Sequence, residues 1–353
     1  MIKYFFYKLV ILCGFIALTS CDIFENKNNI ESIIIDFTSF DEIDIRDSSK
    51  VKIVELEATD ASLLSEIKDV EYLKDKILVY SADMVVAFDL KGKFLYDIDR
   101  RGNGPGEYVR TTSFYIRKDT IFLYDDVSKQ MLAYDENGNF LKSIRTEEEI
   151  AFVYPLENQG FVAKNKYRGN NNHTPSICLL DNQLKKIKDI ENRYLSSGNS
   201  GFDNFYPFKD EILYWEFLND TIFSIIQQNR VEPKYFVDFQ EYQIPRSITS
   251  TGDENKILEY ITNSDNPKIA TSIKYIQEDD QYLRFIFVQK EAILNYTIYD
   301  KQSKQSKIFR IIDSQDELRP LLFMKYKDGN IIMSAINLNG FDDNPLLLFI
   351  NDR

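Results

Sequence analysis

Short apolar runs that alternate with polar turns occupy most of the chain after residue 30. The stretches Met84–Asp99 and Gln130–Arg145 match each other at an offset of 46 residues, and Ser176–Ile190 repeats the pattern after a further 46. Each copy contains an apolar run, a polar turn and a second alternating run, which predicts a β-hairpin. Gly92 and Gly138 stand where the turn needs a residue at positive φ, and we expect the third turn to be one residue shorter.

A hairpin that recurs every 46 residues predicts the blades of a β-propeller, because a four-stranded sheet buries both of its faces only by stacking on its neighbours. Six apolar runs act as the strand before each hairpin: Asp75–Ser81, Asp119–Asp125, Gly160–Asn165, Asp210–Glu216, Tyr282–Val288 and Gly329–Ala335. A fourth strand follows in five blades, and the last blade lacks one. We therefore predict an all-β fold, a six-bladed β-propeller of four-stranded blades, with the ring closed by an N-terminal strand, Ser32–Phe37, in the last blade.

Two other architectures fit parts of this pattern. A β-sandwich followed by a second β domain remains open. A seventh blade is disfavoured because the one long unassigned stretch, near 240–268, is rich in Ser, Thr, Asn and Pro. It contains one segment with helical periodicity, Asp253–Ile261, with Asp253 as a possible N-cap, and we interpret the stretch as an insertion after the fourth blade.

The amino terminus has the pattern of an export signal. Residues 1–20 contain a basic start and a short apolar run that is too short to span a bilayer, which predicts a signal peptide. The run ends in Leu-Thr-Ser-Cys21, which resembles the bacterial lipobox and implies that Cys21 becomes the acylated first residue. Residues 21–30 would then be a lipidated tether and 31–353 the propeller. The alternative is a secreted protein with a coincidental Cys at this position.

The amino-acid composition limits the kinds of partner that this protein can bind. The 353 residues contain 43 Lys and Arg against 56 Asp and Glu, a net charge of -13, which disfavours nucleic acid because such binding depends on basic side chains. A single His excludes multi-histidine metal sites. Of the three Cys, Cys13 leaves with the signal and Cys21 is acylated, so Cys178 has no intrachain disulfide partner.

Several segments resemble a known family: Val54–Ile67, Phe88–Ile98, the GPGEY sequence within Arg100–Tyr108, Asp220–Ile225 and Val231–Phe239. Together they look like the six-bladed β-propeller lipoproteins common in Bacteroidetes, which are similar in fold to NHL-repeat propellers and mostly lack an assigned activity. The resemblance implies a fold and a compartment, and it transfers no catalytic residues. Asp22 and Glu25 are loosely similar to the export signals of surface lipoproteins in that phylum, which favours the outer membrane and leaves its face open.

Candidate residues for a ligand-binding face lie in two polar loops: Arg100, Arg101, Glu107, Tyr108, Arg110, Asn171 and His173. The GxGxG pattern at 102–106 matches neither a dinucleotide-binding nor a Walker motif, and a strand follows it. It predicts a wide turn between blades that Glu107 and Tyr108 hold in place. The functional alternative is a channel entrance where the arginines attract a carboxylate or sulfate.

Metal and cofactor chemistry has little support in the sequence. His173 has no second His nearby and is expected to be an exposed loop residue, although the asparagines beside it are suited to sugar hydroxyls. Paired acids such as Asp125-Asp126 and Asp279-Asp280 have the oxygen atoms that calcium prefers as ligands, although they do not follow the spacing of an EF-hand. A calcium site therefore stays an open alternative. We predict no cofactor, no metal ligands and no catalytic residues.

Two functions remain. The first is a non-catalytic cell-envelope module, held to the membrane by its lipid, that binds a glycan, a peptide or an envelope protein. The alternative is a divalent-metal-dependent propeller enzyme of the lactonase or lyase type. We favour the first because the fold is a scaffold and the sequence contains no reactive constellation.

Overall fold

The structure, a computed structural model, describes residues 30–156, 160–166, 177–190, 205–209, 211–215, 219–226, 230–249, 254–263, 269–289, 293–327, 329–338 and 343–351. Within these ranges the chain forms six sheets that follow one another around a ring.

Three short strands come first: β1 (Glu31–Ile34), β2 (Asp41–Asp44) and β3 (Val51–Val54). Blades 1 to 3 then follow, with four strands each: β4 (Ile67–Leu73), β5 (Lys76–Ser81), β6 (Met84–Asp89), β7 (Phe94–Ile98); β8 (Thr111–Arg117), β9 (Thr120–Asp125), β10 (Gln130–Tyr134), β11 (Phe140–Arg145); β12 (Ile150–Pro155), β13 (Phe161–Asn165), β14 (Ile177–Leu180), β15 (Lys186–Ile190). Blades 4 to 6 complete the chain: β16 (Phe205–Phe208), β17 (Glu211–Trp215), β18 (Thr221–Ile226), β19 (Arg230–Asp238); β20 (Ala270–Glu278), β21 (Tyr282–Gln289), β22 (Ile293–Asp300), β23 (Gln305–Ile312); β24 (Leu318–Lys327), β25 (Asn330–Asn337), β26 (Leu346–Asn351). The predicted all-β, six-bladed propeller is confirmed.

Hydrophobic clusters between neighbouring blades hold the ring together. In β5, Val79 packs in a cluster with Leu347 of blade 6, whereas the adjacent residue Leu78, on the opposite face of the strand, packs in a cluster with Leu132 of blade 2. Alternate side chains of a strand point to opposite faces, so a blade that is covered on both faces needs the continuous apolar runs found in the middle strands. First strands of adjacent blades contact one another, for example β8 with β12 and β16 with β20, and these strands surround the central axis.

The three N-terminal strands bind the outer edges of three successive blades. Strand β1 pairs in parallel with β19 of blade 4, β2 pairs in parallel with β23 of blade 5, and β3 pairs antiparallel with β26 of blade 6. The ring is therefore closed by an N-terminal strand in the last blade, as predicted. The choice of Ser32–Phe37 for this strand was wrong, because Val51–Val54 supplies it.

The alternation of apolar and polar residues specifies which face of a strand is buried, and this explains why the wrong segment was chosen. Ile33 and Ile35 are fully buried against the cluster between blades 4 and 5, and Ile34 between them is 57% exposed. That pattern makes the segment an outer strand with one buried face. It does not select the edge on which the strand lies, and β1 lies beside β19, the strand that its sequence resembles.

The repeated hairpin turns confirm the role of the glycines and correct the third turn. Gly92 and Gly138 have φ of 89° and 78°. The third turn has the same length, and Leu184 occupies the equivalent position with φ of 60°. The amide of each of these three residues donates to the carbonyl of the aspartate three positions earlier. Leu184 is completely buried, so its packing offsets the cost of a left-handed backbone at a residue with a side chain.

Short helices follow blade 4, in the segment predicted as an insertion. They are a 3₁₀ helix at Gln240–Tyr242, α1 (Arg246–Thr249) and α2 (Glu254–Asn263). Helix α2 matches the predicted helical segment, although Asp253 itself lies outside the described residues. Ile257 of α2 packs with Ile244 and Ile269 in a small separate cluster. Among the described residues, no helix has the length and apolar character needed to cross a membrane.

Candidate functional site

A cavity of about 390 Å³ occupies the central channel. Residues from the first strand of every blade line it, from β4, β8, β12, β16, β20 and β24. Among the described residues that line the cavity, Tyr80 on β5 alone lies outside these strands. Because a closed set of rigid strands forms its wall, the cavity is preformed in the fold.

Bulges in the first strands change which side chains point toward the axis. Within the described chain, five of the six first strands carry one, and β16 is the exception. Lys68 in β4 and Thr112 in β8 are the extra residues of two of these bulges. Thr112 Oγ1 donates a 2.7 Å hydrogen bond to the carbonyl of Ala151, the extra residue in β12. An extra residue interrupts the regular alternation, which allows polar side chains to occupy an otherwise apolar strand.

One side of the cavity is aromatic. Blades 2 to 4 contribute five aromatic residues, which we call the aromatic wall: Phe114, Tyr115, Tyr154, Phe205 and Tyr206. The hydroxyl of Tyr206 accepts a 3.2 Å hydrogen bond from the amide of Tyr275 on blade 5, which fixes that ring in place. Such rings offer flat apolar faces with a polar edge.

The opposite side is charged. Blades 5, 6 and 1 contribute the charged side chains that line the cavity among the described residues, and we call these the ionic wall: Lys68, Asp69, Glu71, Glu278 and Lys325. This side also contributes Tyr80, Tyr275 and Tyr326 to the lining, so the two walls differ in the charged side chains, which all lie on the ionic wall among the described residues.

Lys325 joins two acids of the ionic wall. Its Nζ lies 2.9 Å from Asp69 Oδ1 and 2.5 Å from Glu71 Oε1, and Lys327 Nζ lies 3.2 Å from Glu71 Oε2. Burial raises the pKa of Asp69, although Lys325 opposes this shift. Burial acts in the same direction on Glu71, but there the attraction and hydrogen bonds of Lys325 and Lys327 together outweigh it and lower the pKa. The group is thus an internally compensated ion cluster that links blades 6 and 1.

Glu278 at the end of β20 is compensated in a similar way. Its side chain is 1% exposed and accepts hydrogen bonds from Lys234 Nζ and Lys301 Nζ, each at 3.0 Å, and from the hydroxyl of Tyr235 at 2.8 Å. A buried carboxylate is tolerated only with such partners. The neighbouring Gln277 Oε1 is also buried, and no hydrogen bond to it comes from the part of the chain that the structure describes.

The predicted loop residues lie away from the cavity, between the outer strands of blades 1 and 2. Arg100 Nη2 donates a 3.1 Å hydrogen bond to the carbonyl of Gly138 in the turn before β11. Arg101 is mostly exposed and pairs with Asp99 at 3.2 Å. Tyr108 is completely buried and donates to the carbonyl of Ile98 at 2.9 Å.

Glu107 closes the glycine-rich turn itself. Its Oε2 accepts a 2.7 Å hydrogen bond from the amide of Gly104, so this carboxylate stabilises the turn. Gly106, with φ of 76°, lies against Phe140, where a Cβ atom would come within 2.6 Å of the ring. The geometry is that of a connection between two blades. This is the wide turn that the sequence predicted for residues 102–106.

Arg110 forms an ion pair with Asp126, the residue that follows β9. Its Nε donates to Asp126 Oδ1 at 2.9 Å, and its Nη2 donates to Asp126 Oδ2 at 2.5 Å. Lys166 Nζ also contacts the same carboxylate, at 3.3 Å. Arg110 is close enough to Lys68 of the ionic wall to act on it electrostatically.

Other predicted residues cannot be placed. Cys21, Asn171 and His173 lie outside the described residues. Cys178 is a free, buried thiol whose pKa is raised by burial to about 12. Across the described ranges, no group of three or more His, Cys, Asp or Glu side chains is arranged to hold a metal ion.

The hairpin repeat predicted the second, third and fourth strands of the blades but not the first strands, which line the channel. A signal was present: Ile67–Leu73 and Leu318–Lys327 place Lys, Asp or Glu among apolar residues. In a strand that is covered on both sides, such charges require either a partner or a cavity.

Comparison with solved structures supports the fold. The chain is similar to a Bacteroides fragilis protein described as exported, with 16% identity and a TM-score of 0.67 over 90% of this chain and 99% of that one. It is also similar to a member of the DUF4221 family from Bacteroides vulgatus, with 10% identity and a TM-score of 0.56 over 86% of this chain and 98% of that one.

No functionally curated protein matches the sequence. Residues 32–345 match the domain of unknown function DUF4934, from the first N-terminal strand to the start of the last strand of blade 6. Since this match covers most of its length, the chain belongs to the DUF4934 family.

Proposed function

We propose that this protein is an exported, lipid-anchored envelope protein that binds a small polar ligand in the central channel without converting it. The observation that carries the proposal is the pairing of an aromatic wall on blades 2 to 4 with an ionic wall on blades 5, 6 and 1. A ligand with a flat, weakly polar face and hydrogen-bonding edges fits between them, as does a sugar ring or a short peptide.

The size and rigidity of the channel support this proposal. Its volume of about 390 Å³ falls in the range of small-molecule sites. The walls are formed by strands that are fixed in interblade clusters, so little conformational entropy is lost when a ligand binds.

Binding is tested with the soluble propeller that begins after Cys21 and a panel of monosaccharides, disaccharides and dipeptides, by thermal shift and calorimetry. We expect a saturable ligand whose affinity falls at least about tenfold in Tyr154→Ala, because one aromatic face is lost. The matched control is Tyr96→Ala, which removes a partly buried tyrosine from outer strand β7. Equal loss in both variants, or formation of products from any compound of the panel, would refute the proposal.

Membrane attachment is tested separately in cells. Export rests on the signal pattern at 1–20, together with the similarity to a protein described as exported, and anchoring rests on Cys21. We expect labelled fatty acid to be incorporated into the natural protein and into Cys13→Ser, and not into Cys21→Ser. Incorporation into Cys21→Ser, or recovery of the natural protein in the soluble fraction, would contradict lipid anchoring at this residue.

A further inference from the structure

The strands of each blade are joined on two different sides of the ring. Neighbouring strands are antiparallel, so the turns from a first to a second strand and from a third to a fourth strand lie on the same side. We call this the hairpin side. The connections from a second to a third strand and from one blade to the next lie on the opposite side, which we call the link side. The blades repeat around one axis, so this division holds for the whole ring.

Acidic residues are concentrated on the link side. Its described connections, from the one after β3 to the one before β26, contain nineteen Asp and Glu against seven Lys and Arg. The described turns of the hairpin side contain seven Asp and Glu against eight Lys. Strand β20 has nine residues, so about 30 Å separates the two sides, several times the screening length of about 8 Å in physiological salt. A charged surface that approaches the hairpin side is therefore little affected by the acids of the link side.

Lysines project from the hairpin turns of blades 1 and 3. Lys91 and Lys93 in blade 1 and Lys185 in blade 3 are exposed. The aspartates that begin the turns of blades 2 and 3 are bound inward, since Asp135 and Asp181 each accept two hydrogen bonds from amides of their own turns. This part of the hairpin side therefore presents ammonium groups to an approaching surface.

Three exposed aliphatic side chains accompany these lysines. Leu95, Leu141 and Ile187 recur at the 46-residue offset of the hairpin repeat and are 43%, 54% and 63% exposed. Each is the extra residue of a bulge in a fourth strand, close to the hairpin turn. A bulge turns a side chain out of the regular alternation of a strand. Their strands form the outer edges of blades 1 to 3, whereas β1 and β2 cover the outer edges of blades 4 and 5.

Exposed apolar residues on the link side have the opposite charge beside them. Val127 follows Asp126, and Leu258 precedes Glu259. On the hairpin side, Ile187 lies between two exposed lysines. Aliphatic groups flanked by ammonium groups are the combination that binds the interface of an anionic membrane, because the lysines attract phosphate groups while the apolar groups enter the headgroup region.

The N-terminal segment approaches the ring from the hairpin side. Strand β1 runs parallel to β19, which starts at the hairpin side of blade 4. Glu31 Oε1 accepts a 2.6 Å hydrogen bond from Nζ of Lys304, a residue of the hairpin-side turn in blade 5. The predicted tether of residues 21–30 spans at most about 35 Å. The link side could therefore reach the membrane only if the whole tether were stretched along the height of the ring.

We propose that the hairpin side of blades 1 to 3 rests on the anionic phospholipid surface of the membrane that holds the anchor. The lysines contact phosphate groups, and Leu95, Leu141 and Ile187 enter the headgroup region. The acidic link side faces away from the membrane, which would repel it. This inference rests on the lipid anchor of the proposed function, to which it adds a contact surface and a fixed orientation.

Lysine footprinting tests this orientation. The chain that starts at Cys21 is coupled through this thiol to a maleimide lipid, in vesicles of phosphatidylcholine alone or with an equal part of phosphatidylglycerol. Cys178 is buried and should not be coupled. We expect acetylation of the three hairpin-side lysines at 91, 93 and 185, read by mass spectrometry, to slow several-fold in the anionic vesicles. Exposed Lys256 on the link side is the control and should react equally in both.

Variants of the exposed apolar residues test the surface itself. In the same anchored chain, Leu95→Ser with Leu141→Ser and Ile187→Ser should remove most of the protection of the hairpin-side lysines. Val127→Ser with Leu258→Ser, on the link side, is the matched control and should retain it. Because all five side chains are exposed, little stability should be lost, and circular dichroism of each variant confirms that the sheets are intact.

Three results would overturn the inference. They are equal acetylation of the hairpin-side lysines in the two kinds of vesicle, equal protection of Lys256, and protection that is unchanged in the variant without the three aliphatic groups. The maleimide lipid replaces the natural acyl chains, so none of these results bears on acylation of Cys21 or on ligand binding in the channel. A failure of the natural anchor would be seen instead as absent incorporation of labelled fatty acid.

Discussion

Arg46 and Asp313, 267 positions apart in the sequence, form a two-pronged ion pair. Arg46 Nε donates to Asp313 Oδ1 at 2.7 Å and Nη2 donates to Oδ2 at 2.9 Å. Arg46 lies between β2 and β3, and Asp313 lies between blades 5 and 6. The pair therefore fastens the N-terminal segment to the last interblade connection, next to the strand that closes the ring.

Replacing Asp313 should destabilise the fold. Its side chain is 2% exposed and also accepts hydrogen bonds from the amides of Gln315, Glu317 and Leu318. We expect Asp313→Ala to reduce the free energy of unfolding by about 3 kcal/mol, because a partly buried guanidinium and three amides lose their acceptor. Urea unfolding measures this, with Glu317→Gln at the more exposed partner as a control that should cost less than about 1 kcal/mol. Equal losses of unfolding free energy in the two variants would contradict the role of Asp313 as the main acceptor in this contact.

The same pair gives a pH dependence with a defined sign. Arg46 and the amides lower the pKa of Asp313 below its usual value. The stabilisation is therefore fully present above the pKa of an unfolded aspartate and is lost as the pH falls toward the lowered value. We expect the stability difference between the natural protein and Asp313→Ala to shrink below about pH 4.

The side chain of Asn344 should also stabilise the closed ring, at the connection between blades 6 and 1. Its Oδ1 accepts from the amide of Leu64 at 2.7 Å, and its Nδ2 donates to the carbonyls of Glu57 at 3.0 Å and Ser62 at 2.8 Å. These bonds join the segment before β26 to the connection between β3 and β4. We expect Asn344→Ala to cost about 2 kcal/mol in urea unfolding, because the buried amide of Leu64 and the buried carbonyl of Ser62 lose their partner. The carbonyl of Glu57 keeps a hydrogen bond from the hydroxyl of Ser62.

The matched control for this prediction is Asn182→Ala. Within the described part of the chain, the side chain of Asn182 accepts one hydrogen bond, from the amide of Gly160 at 2.9 Å. Its loss should cost about 1 kcal/mol. If Asn344→Ala lowers the free energy of unfolding no more than Asn182→Ala does, the connection between β3 and β4 tolerates the loss of these hydrogen bonds and the prediction is wrong.

Gly106 should not tolerate a side chain. Its positive φ and its contact with Phe140 both oppose a Cβ atom. We expect Gly106→Ala to lower stability by about 2 kcal/mol in thermal or urea unfolding. Gly104→Ala is the control, since its Cβ would meet the mobile end of Glu107, at 3.0 Å, and the backbone is not left-handed there. Equal stability of the Gly106 variant and the natural protein would be inconsistent with the packed interblade connection.

Asp220 should make stability depend on pH near neutrality. Burial raises its pKa to about 7, although Gln243 Nε2 donates a hydrogen bond to its Oδ2. A raised pKa means that the folded state holds a proton that the unfolded state releases, so stability decreases as the pH rises from about 4 to 7. Asp220→Asn cannot ionise and still accepts from Gln243.

We therefore expect Asp220→Asn to melt at a higher temperature than the natural protein at pH 8, with a smaller difference at pH 5. Differential scanning calorimetry in matched buffers checks this. Asp60→Asn, at an exposed position, should show no such divergence. A constant difference for Asp220→Asn across this pH range would argue against a protonated Asp220 in the folded state.

The hairpin repeat shows how far the sequence specified the fold. Gly92 and Gly138 predicted two turns correctly because glycine is the residue that most readily adopts positive φ. Leu184 adopts the same conformation without that signal, since its burial compensates for the strain. The third turn was mispredicted for this reason.

By itself, the sequence determined the blade count and the second, third and fourth strands of most blades, because these depend on local periodicity and composition. Tertiary structure decided which N-terminal segment closes the last blade, and it placed Arg100 and Tyr108 between blades rather than at the channel. It also brought Asp69 and Lys325, from opposite ends of the chain, together in one cavity wall. These outcomes depend on which edges and faces meet when the ring closes, and alternation along a strand specifies a face but not its partner.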